Sequence, residues 1–238
     1  MKRLIYITYL SLLALFLISC DKEIVAPDTA TENSSFASNR TGGSCTNYSY
    51  QTKTGPVQLG TANPYEILVE IDNSLSLAQK AAILSKYRPF RAITGEFYTE
   101  SGLVTIVELK SNTTCLAAEQ MMAALELESA VRFALPTFTN GGAWDEFIIV
   151  LSNSGSERNL LQLVANTKTR IVGDPSLFGP KTYVISADKG STGNVYEMIS
   201  FFNTSSRILY AEPVGFIYPV SHTIKKRLDE IQMTLTRN

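Results

Sequence analysis

The chain of 238 residues has one histidine (His222), one tryptophan (Trp144) and three cysteines. With a single histidine, any Ser-His-Asp or Cys-His arrangement must pass through His222. That residue stands between a strand-like run and a terminal helical pattern, where a solvated helix-entry histidine is ordinary. There is no Gly-x-Ser-x-Gly, no phosphate-binding glycine loop and no Cys/His spacing suited to zinc. Gly42-Gly43 and Gly141-Gly142 read as linker glycines. The acidic pairs Glu126/Glu128 and Asp145/Glu146 fall at element ends, where solvated carboxylates are common, so paired-carboxylate hydrolysis has little support. The expectation is a protein that is not an enzyme, with no catalytic residue, no metal ligand and no cofactor.

The N-terminus carries Lys2 and Arg3, an apolar run from Leu4 to Ile18, and then Ser19-Cys20, the order of a secretion signal. The run is short of the roughly 20 residues a membrane span needs. Leu17-Ile18-Ser19-Cys20 resembles the bacterial lipobox, which implies cleavage before Cys20 and acylation of its sulfur. Several acyl chains together anchor stably. A mature chain without Lys2 and Arg3 retains 19 basic residues against 22 acidic ones, a net charge of −3. So mild a balance offers no field for nucleic acid, and none is expected as a partner.

From Asp21 to about Leu59, Thr, Ser, Asn, Gly and charged residues dominate without an apolar period, so 20–62 reads as a flexible tether. Its root-mean-square reach is roughly 35 Å. Asp21-Lys22-Glu23 resembles the short charged signals of surface-exposed Bacteroidetes lipoproteins, and Asp28-Thr29-Ala30 that phylum's O-glycosylation motif. Cys45 and Cys115 are disulfide candidates in an oxidising compartment, although the sequence does not establish their distance.

Beyond Asn63-Pro64 one pattern occurs twice. In the first copy Glu66 to Asp72 reads as a strand, and Ser76-Leu77-Ala78-Gln79 as a capping box opening a helix with Leu77, Ala81 and Leu84 on one face and Lys80 on another. Strands follow at Arg91–Tyr98 and Gly102–Leu109. A helix at Thr114–Glu126 carries Ala117, Met121 and Ala124, and Ala130–Phe138 closes the copy. In the second copy Asp145–Leu151 is a strand and Ser154-Gly155-Ser156-Glu157 a capping box ahead of Leu160, Leu163, Val164 and Thr167. Strands at Thr169–Val172 and Thr182–Ser186, a helix with Val195, Met198, Ile199 and Phe202, and a strand at Arg207–Ala211 complete it.

Two βαββαβ units about 77 residues apart predict an α+β fold of two tandem ferredoxin-like domains, antiparallel sheets with helices on one face. The boundaries expected are 1–19 signal peptide, 20–62 tether, 63–140 first domain, 141–220 second domain and 221–238 an amphipathic helix with Ile224, Leu228, Ile231 and Leu235 on one side. Trp144 either covers the seam between the domains or stands exposed.

The closing segments Phe133-Ala134-Leu135-Pro136 and Tyr210-Ala211-Glu212-Pro213, each ending a βαββαβ unit, resemble the N-terminal prodomains of subtilisin-like serine proteases, particularly the fervidolysin type. The resemblance covers about Tyr65 to Val220 and implies inhibition or chaperoning of such a protease, the sheet packing on it and the extended tail entering its cleft. The tails would be Thr137 to Asn140 and Val214 to Val220, with Thr137, Phe138, Val214, Phe216, Ile217 and Tyr218 as partner contacts. No His-Gly-Thr-His or Gly-Thr-Ser-Met type segment is present, so the chain is not itself such a protease. The function expected is therefore a non-catalytic, lipid-anchored binding module of the bacterial outer membrane, reaching the cell surface. Its expected partner is a subtilisin-like protease or another envelope protein, with membrane contact through the lipid on Cys20. The alternative is an envelope scaffold that keeps the fold without protease binding.

Overall fold

The computed structural model describes residues 45–138, 142–173 and 179–215. The signal peptide, Cys20, the tether before Cys45, the tail residue Asn140, Phe216, Ile217, Tyr218, His222 and the expected helix at 221–238 lie outside the described residues. The elements run β1 (Asn47–Thr52), β2 (Gly55–Ile71), α1 (Leu77–Leu84), β3 (Phe90–Tyr98), β4 (Leu103–Leu109), α2 (Cys115–Leu127) and β5 (Val131–Phe138). They continue as β6 (Glu146–Leu151), α3 (Glu157–Thr167), β7 (Arg170–Val172), β8 (Thr182–Ser186), α4 (Val195–Thr204) and β9 (Ile208–Pro213).

In the first sheet β2 lies between β4 and β5, and β3 flanks β4. The second sheet has the order β7-β8-β6-β9. In each, the opening strand is central, flanked by the third and fourth strands of its unit, and every pairing is antiparallel. Each βαββαβ unit is thus ferredoxin-like, and the chain is α+β with two such units in tandem. Both belong to a single compact unit.

Local chemistry sets the helix starts. The Ser76 side chain accepts the Gln79 N–H while the Gln79 side chain accepts the Ser76 N–H, a complete capping box. Asn194 and Glu197 form the same reciprocal pair before α4. The cap of α3 is Ser156, not Ser154, and its hydroxyl accepts the Asn159 N–H. Along α4, Val195, Met198, Ile199 and Phe202 are all buried, as their spacing requires.

Three expectations need correction. Residues 45–62 are not tether: β1 and the first part of β2 form an antiparallel hairpin pairing Asn47 with Thr61 and Thr52 with Gly55. Its polar composition is that of a two-stranded ribbon exposed on one side, with Tyr50, Leu59 and Ala62 buried on the other. Leu77 is 55% exposed whereas Lys80 is 1% exposed, because the Lys80 ammonium turns onto the sheet and meets Glu96 Oε1 at 2.8 Å. In α2 the buried face is Ala118, Met121, Met122 and Leu125, one position beyond the expected Ala117 and Ala124.

The first sheet is buried on both faces. Ile67, Val69, Ile71 and Val107 pack with Leu84, Met121 and Leu125 of α1 and α2. Leu68, Val104, Phe133 and Leu135, on the helix-free face, join one continuous core with Phe147, Ile149, Ile185, Ile199 and Phe202 of the second unit.

Candidate functional site

Three sets of contacts build the seam between the two ferredoxin-like units. The first is a polar joint around Arg132 of β5. Its Nη1 donates to Glu70 Oε1 (2.6 Å) and to the Ser101 carbonyl (2.8 Å). Its Nη2 donates to Ser186 Oγ (3.2 Å) and to Asp145 Oδ2 and Asp188 Oδ2, both at 3.4 Å. Arg170 Nη2 approaches Asp188 Oδ2 at 3.3 Å from the far side. Asp145 also accepts from the hydroxyls of Ser101 and Ser186, and Glu146 accepts the Ser101 N–H and the Trp144 indole N–H. Asp145 and Glu146 are therefore buried, not solvated as their place at a strand start suggests. A Cβ at Gly102 would collide with the Glu70 carboxylate, so a side chain there would displace Glu70 from the joint. Burial pushes the Glu70 carboxyl up to about 7, with Arg132 opposing and Asp145 adding to the rise. Burial likewise raises Asp145 to about 6, against hydrogen bonding from Ser186.

The second set is the hairpin, which acts as a clasp. A disulfide joins Cys45, just before β1, to Cys115, the first residue of α2. The other end reaches α4 of the second unit: Gln51 N–H donates to Ser200 Oγ (2.9 Å), Asn203 Nδ2 to the Gln51 carbonyl (2.9 Å), and Lys53 Nζ to the Ser205 carbonyl (2.6 Å). Between these ends, Tyr48 packs on Phe138 and Tyr196 with ring centroids 5.2 and 6.1 Å away. The third set is Trp144, half-buried at the seam, edge-on to Phe97 at 5.3 Å; a Cβ at Gly215 would meet its ring at 2.8 Å.

Each closing strand lies at the edge of the ferredoxin-like sheet, where unpaired amides invite pairing with another chain. In both units a side chain from the preceding helix reaches the same place. Glu126 of α2 stands beside the Ala134 backbone, whose amide opposes the rise of its carboxyl. Asn203 of α4 accepts the Ala211 N–H (2.9 Å) and donates to the Ala211 carbonyl (2.8 Å). Pro136 and Pro213 follow two residues later and carry no amide hydrogen.

Beside the joint, β5, α2, Tyr48 and the segment 187–194 enclose a cleft of about 340 Å³. Among the described residues its lining includes Glu119, Glu126, Asp188 and Glu197, and Lys189, whose ammonium donates to the Glu128 carbonyl, with Tyr48, Met122 and Phe133 as apolar lining. The Tyr48 phenol is raised by burial and by Glu119, Glu197 and Glu126 in turn, so all three carboxylates act on one hydroxyl. Burial also raises Glu126, which the Ala134 hydrogen bond opposes. Among the described residues no group of His, Cys, Asp and Glu is placed to hold a metal ion, and no helix is long and apolar enough to cross a membrane.

Of the expected partner contacts, Thr137 and Phe138 are not a free tail. Both are 1% exposed: the Thr137 hydroxyl donates to the Glu66 carbonyl and Phe138 pairs across Ala62, because β5 runs on along the bent first part of β2. Val214 extends the β9 pairing through its N–H to the Glu146 carbonyl and is 36% exposed. Sequence reasoning missed Glu70, Arg132 and Asp188, which come from separate elements, and set aside the carboxylates of α2, where Glu119 and Glu126 stand two turns apart on one helix.

No family model and no curated protein matches the chain. Solved structures of similar arrangement include a Sxl-lethal protein/RNA complex (TM-score 0.31, 11% identity), covering 64% of this chain and 100% of that one. They also include the acetolactate synthase small subunit of Thermotoga maritima (TM-score 0.25, 18% identity, 64% of this chain and 94% of that one). A third is the pair of Sex-lethal RNA recognition domains from Drosophila melanogaster (TM-score 0.23, 12% identity, 64% and 100%). Two of these three concern RNA recognition, and the exclusion of nucleic acid drawn from net charge is not carried forward. The partners expected with that exclusion, a subtilisin-like protease or another envelope protein, are not carried forward. A likeness this distant places no RNA on this chain either.

Proposed function

We propose that the chain is a non-catalytic binding module of the bacterial cell envelope, anchored through lipid on Cys20, whose seam cleft receives a cationic ligand. The observation that carries this reading is the acidic lining of the cleft: Glu119, Glu126 and Glu197 all act on the half-buried Tyr48, while Asp188 beside them is paired with Arg132 and Arg170. Such walls attract ammonium or guanidinium groups and repel anions, and a tyrosine face adds cation–π attraction. The large buried carboxylates of the seam, Glu70 and Asp145, are engaged with Arg132 and serines, which favours a structural role for them over acid–base chemistry. The lipobox-like Leu17 to Cys20 supports the anchor.

Two measurements test the proposal. Mass spectrometry of the mature N-terminus should find acylated Cys20, and Cys20→Ala should release the chain in soluble form. With that soluble full chain, a fluorescent oligolysine peptide should bind saturably and an oligoglutamate peptide should not. Glu126→Gln should weaken oligolysine by roughly fivefold, the worth of about 1 kcal/mol of lost charge pairing. Equal binding of both peptides, or of neither, contradicts the cleft reading; an unmodified Cys20 contradicts the anchor.

A further inference from the structure

We infer that the joint between the two ferredoxin-like units is a proton-operated latch, closed when its buried carboxylates hold a proton and loosened when they lose it. Four acids converge there, Glu70 on β2, Asp145 and Glu146 at the start of β6, and Asp188 just after β8. Two cations face them, Arg132 on β5 and Arg170 on β7. Among the described residues the remaining neighbours from the packed elements are neutral or peripheral: Ser101 and Ser186 hydroxyls, the Asn73 amide beside Gly102, Glu100 beside Gly173, and Lys189, whose ammonium is turned away to the Glu128 carbonyl.

Glu70, Asp145 and Glu146 are exposed by 2%, 0% and 1%, so water does little to balance the excess negative charge. Glu70 Oε2 is buried with no hydrogen-bond partner. An ionised carboxylate left so is costly, whereas a protonated one is far less so. The joint therefore binds protons that the separated or unfolded chain does not. Folded-state carboxyls raised to about 7 at Glu70 and about 6 at Asp145 have this sign. Where the native state holds more protons than the unfolded state, stability falls as pH rises. It is fully present below the ordinary carboxyl range and lost as pH climbs through about 6 to 7.

Asp188 belongs both to the joint and to the cleft wall, so loosening the joint alters the cleft. The latch itself holds whatever the cleft binds.

The test is thermal unfolding of the soluble Cys20→Ala full chain between pH 5 and pH 8. Tm should fall by about 5 °C or more across this range, given the few degrees that each kcal/mol moves a protein of this size. Glu70→Gln keeps the shape of the protonated acid and should flatten the dependence, and adding Asp145→Asn should flatten it further. Glu157→Gln, on the exposed first turn of α3, should leave it in place. A flat wild-type profile, or an unchanged slope in the double variant, overturns the latch. If the variants do not fold, hydrogen exchange decides in the wild type. The Lys189 N–H bonded to the Arg132 carbonyl should lose protection from pH 5 to pH 8 after correction for intrinsic exchange; constant protection overturns the inference.

Discussion

The two repeats solve one problem at one place with different chemistry. Ala134 and Ala211 occupy corresponding positions on the closing strands, and the preceding helix sets a polar side chain beside each, Glu126 in one unit and, with two hydrogen bonds, Asn203 in the other. A carboxylate only accepts, so Glu126 can serve the amide hydrogen alone. A carboxamide both accepts and donates, so Asn203 satisfies both groups of Ala211 and reaches the Gln51 carbonyl as well. The environment explains the choice. Asn203 is 6% exposed, where a charge would be expensive, whereas Glu126 borders the open cleft and lends it a negative charge. Edge protection is thus shared, while the charge that distinguishes the cleft belongs to the first unit's version.

The contrast can be broken by substitution. The largest loss should come from the joint: at pH 8, where Glu70 and Asp145 are ionised, Arg132→Met leaves them without their cation and should cost roughly 3 to 5 kcal/mol in urea unfolding. Removing the clasp by Cys45→Ser with Cys115→Ser should cost roughly 2 to 4 kcal/mol, since the bond closes a long loop. Asn203→Ala strands several buried groups and should cost roughly 2 to 3 kcal/mol, while Glu126→Ala frees one amide beside a wet cleft and should cost about 1 kcal/mol. Equal losses at Asn203 and Glu126 would erase the distinction between the two caps. The smallest effect belongs to Tyr98, 86% exposed at the end of β3, where Tyr98→Ser should fall within about 0.5 kcal/mol.

The parts legible in the sequence are those with local causes. The Ser76–Gln79 capping box, the α4 stripe and the period-two strands need only neighbours in the chain. Repetition then supplied the topology, since two βαββαβ units have a familiar way to pair. The hairpin at 45–62 was illegible because its apolar residues are few and face a helix some 150 residues away, at Tyr196 and Asn203. Lys80 was misplaced because its partner Glu96 lies on the sheet beneath, across a turn and a strand. The joint failed for the same reason on a larger scale. Arg132 looks like a solvent-facing strand residue until Glu70, Asp145 and Asp188 are brought around it from three other parts of the chain.

The seam binds the account together: a salt-bridged joint, a disulfide-tied clasp and the Trp144–Phe97 contact make two repeats into one body. Calorimetric unfolding of the soluble full chain at pH 5 tests this most directly. A single transition whose calorimetric and van't Hoff enthalpies agree is the expected result. Two resolved transitions, one for each ferredoxin-like unit, would contradict it.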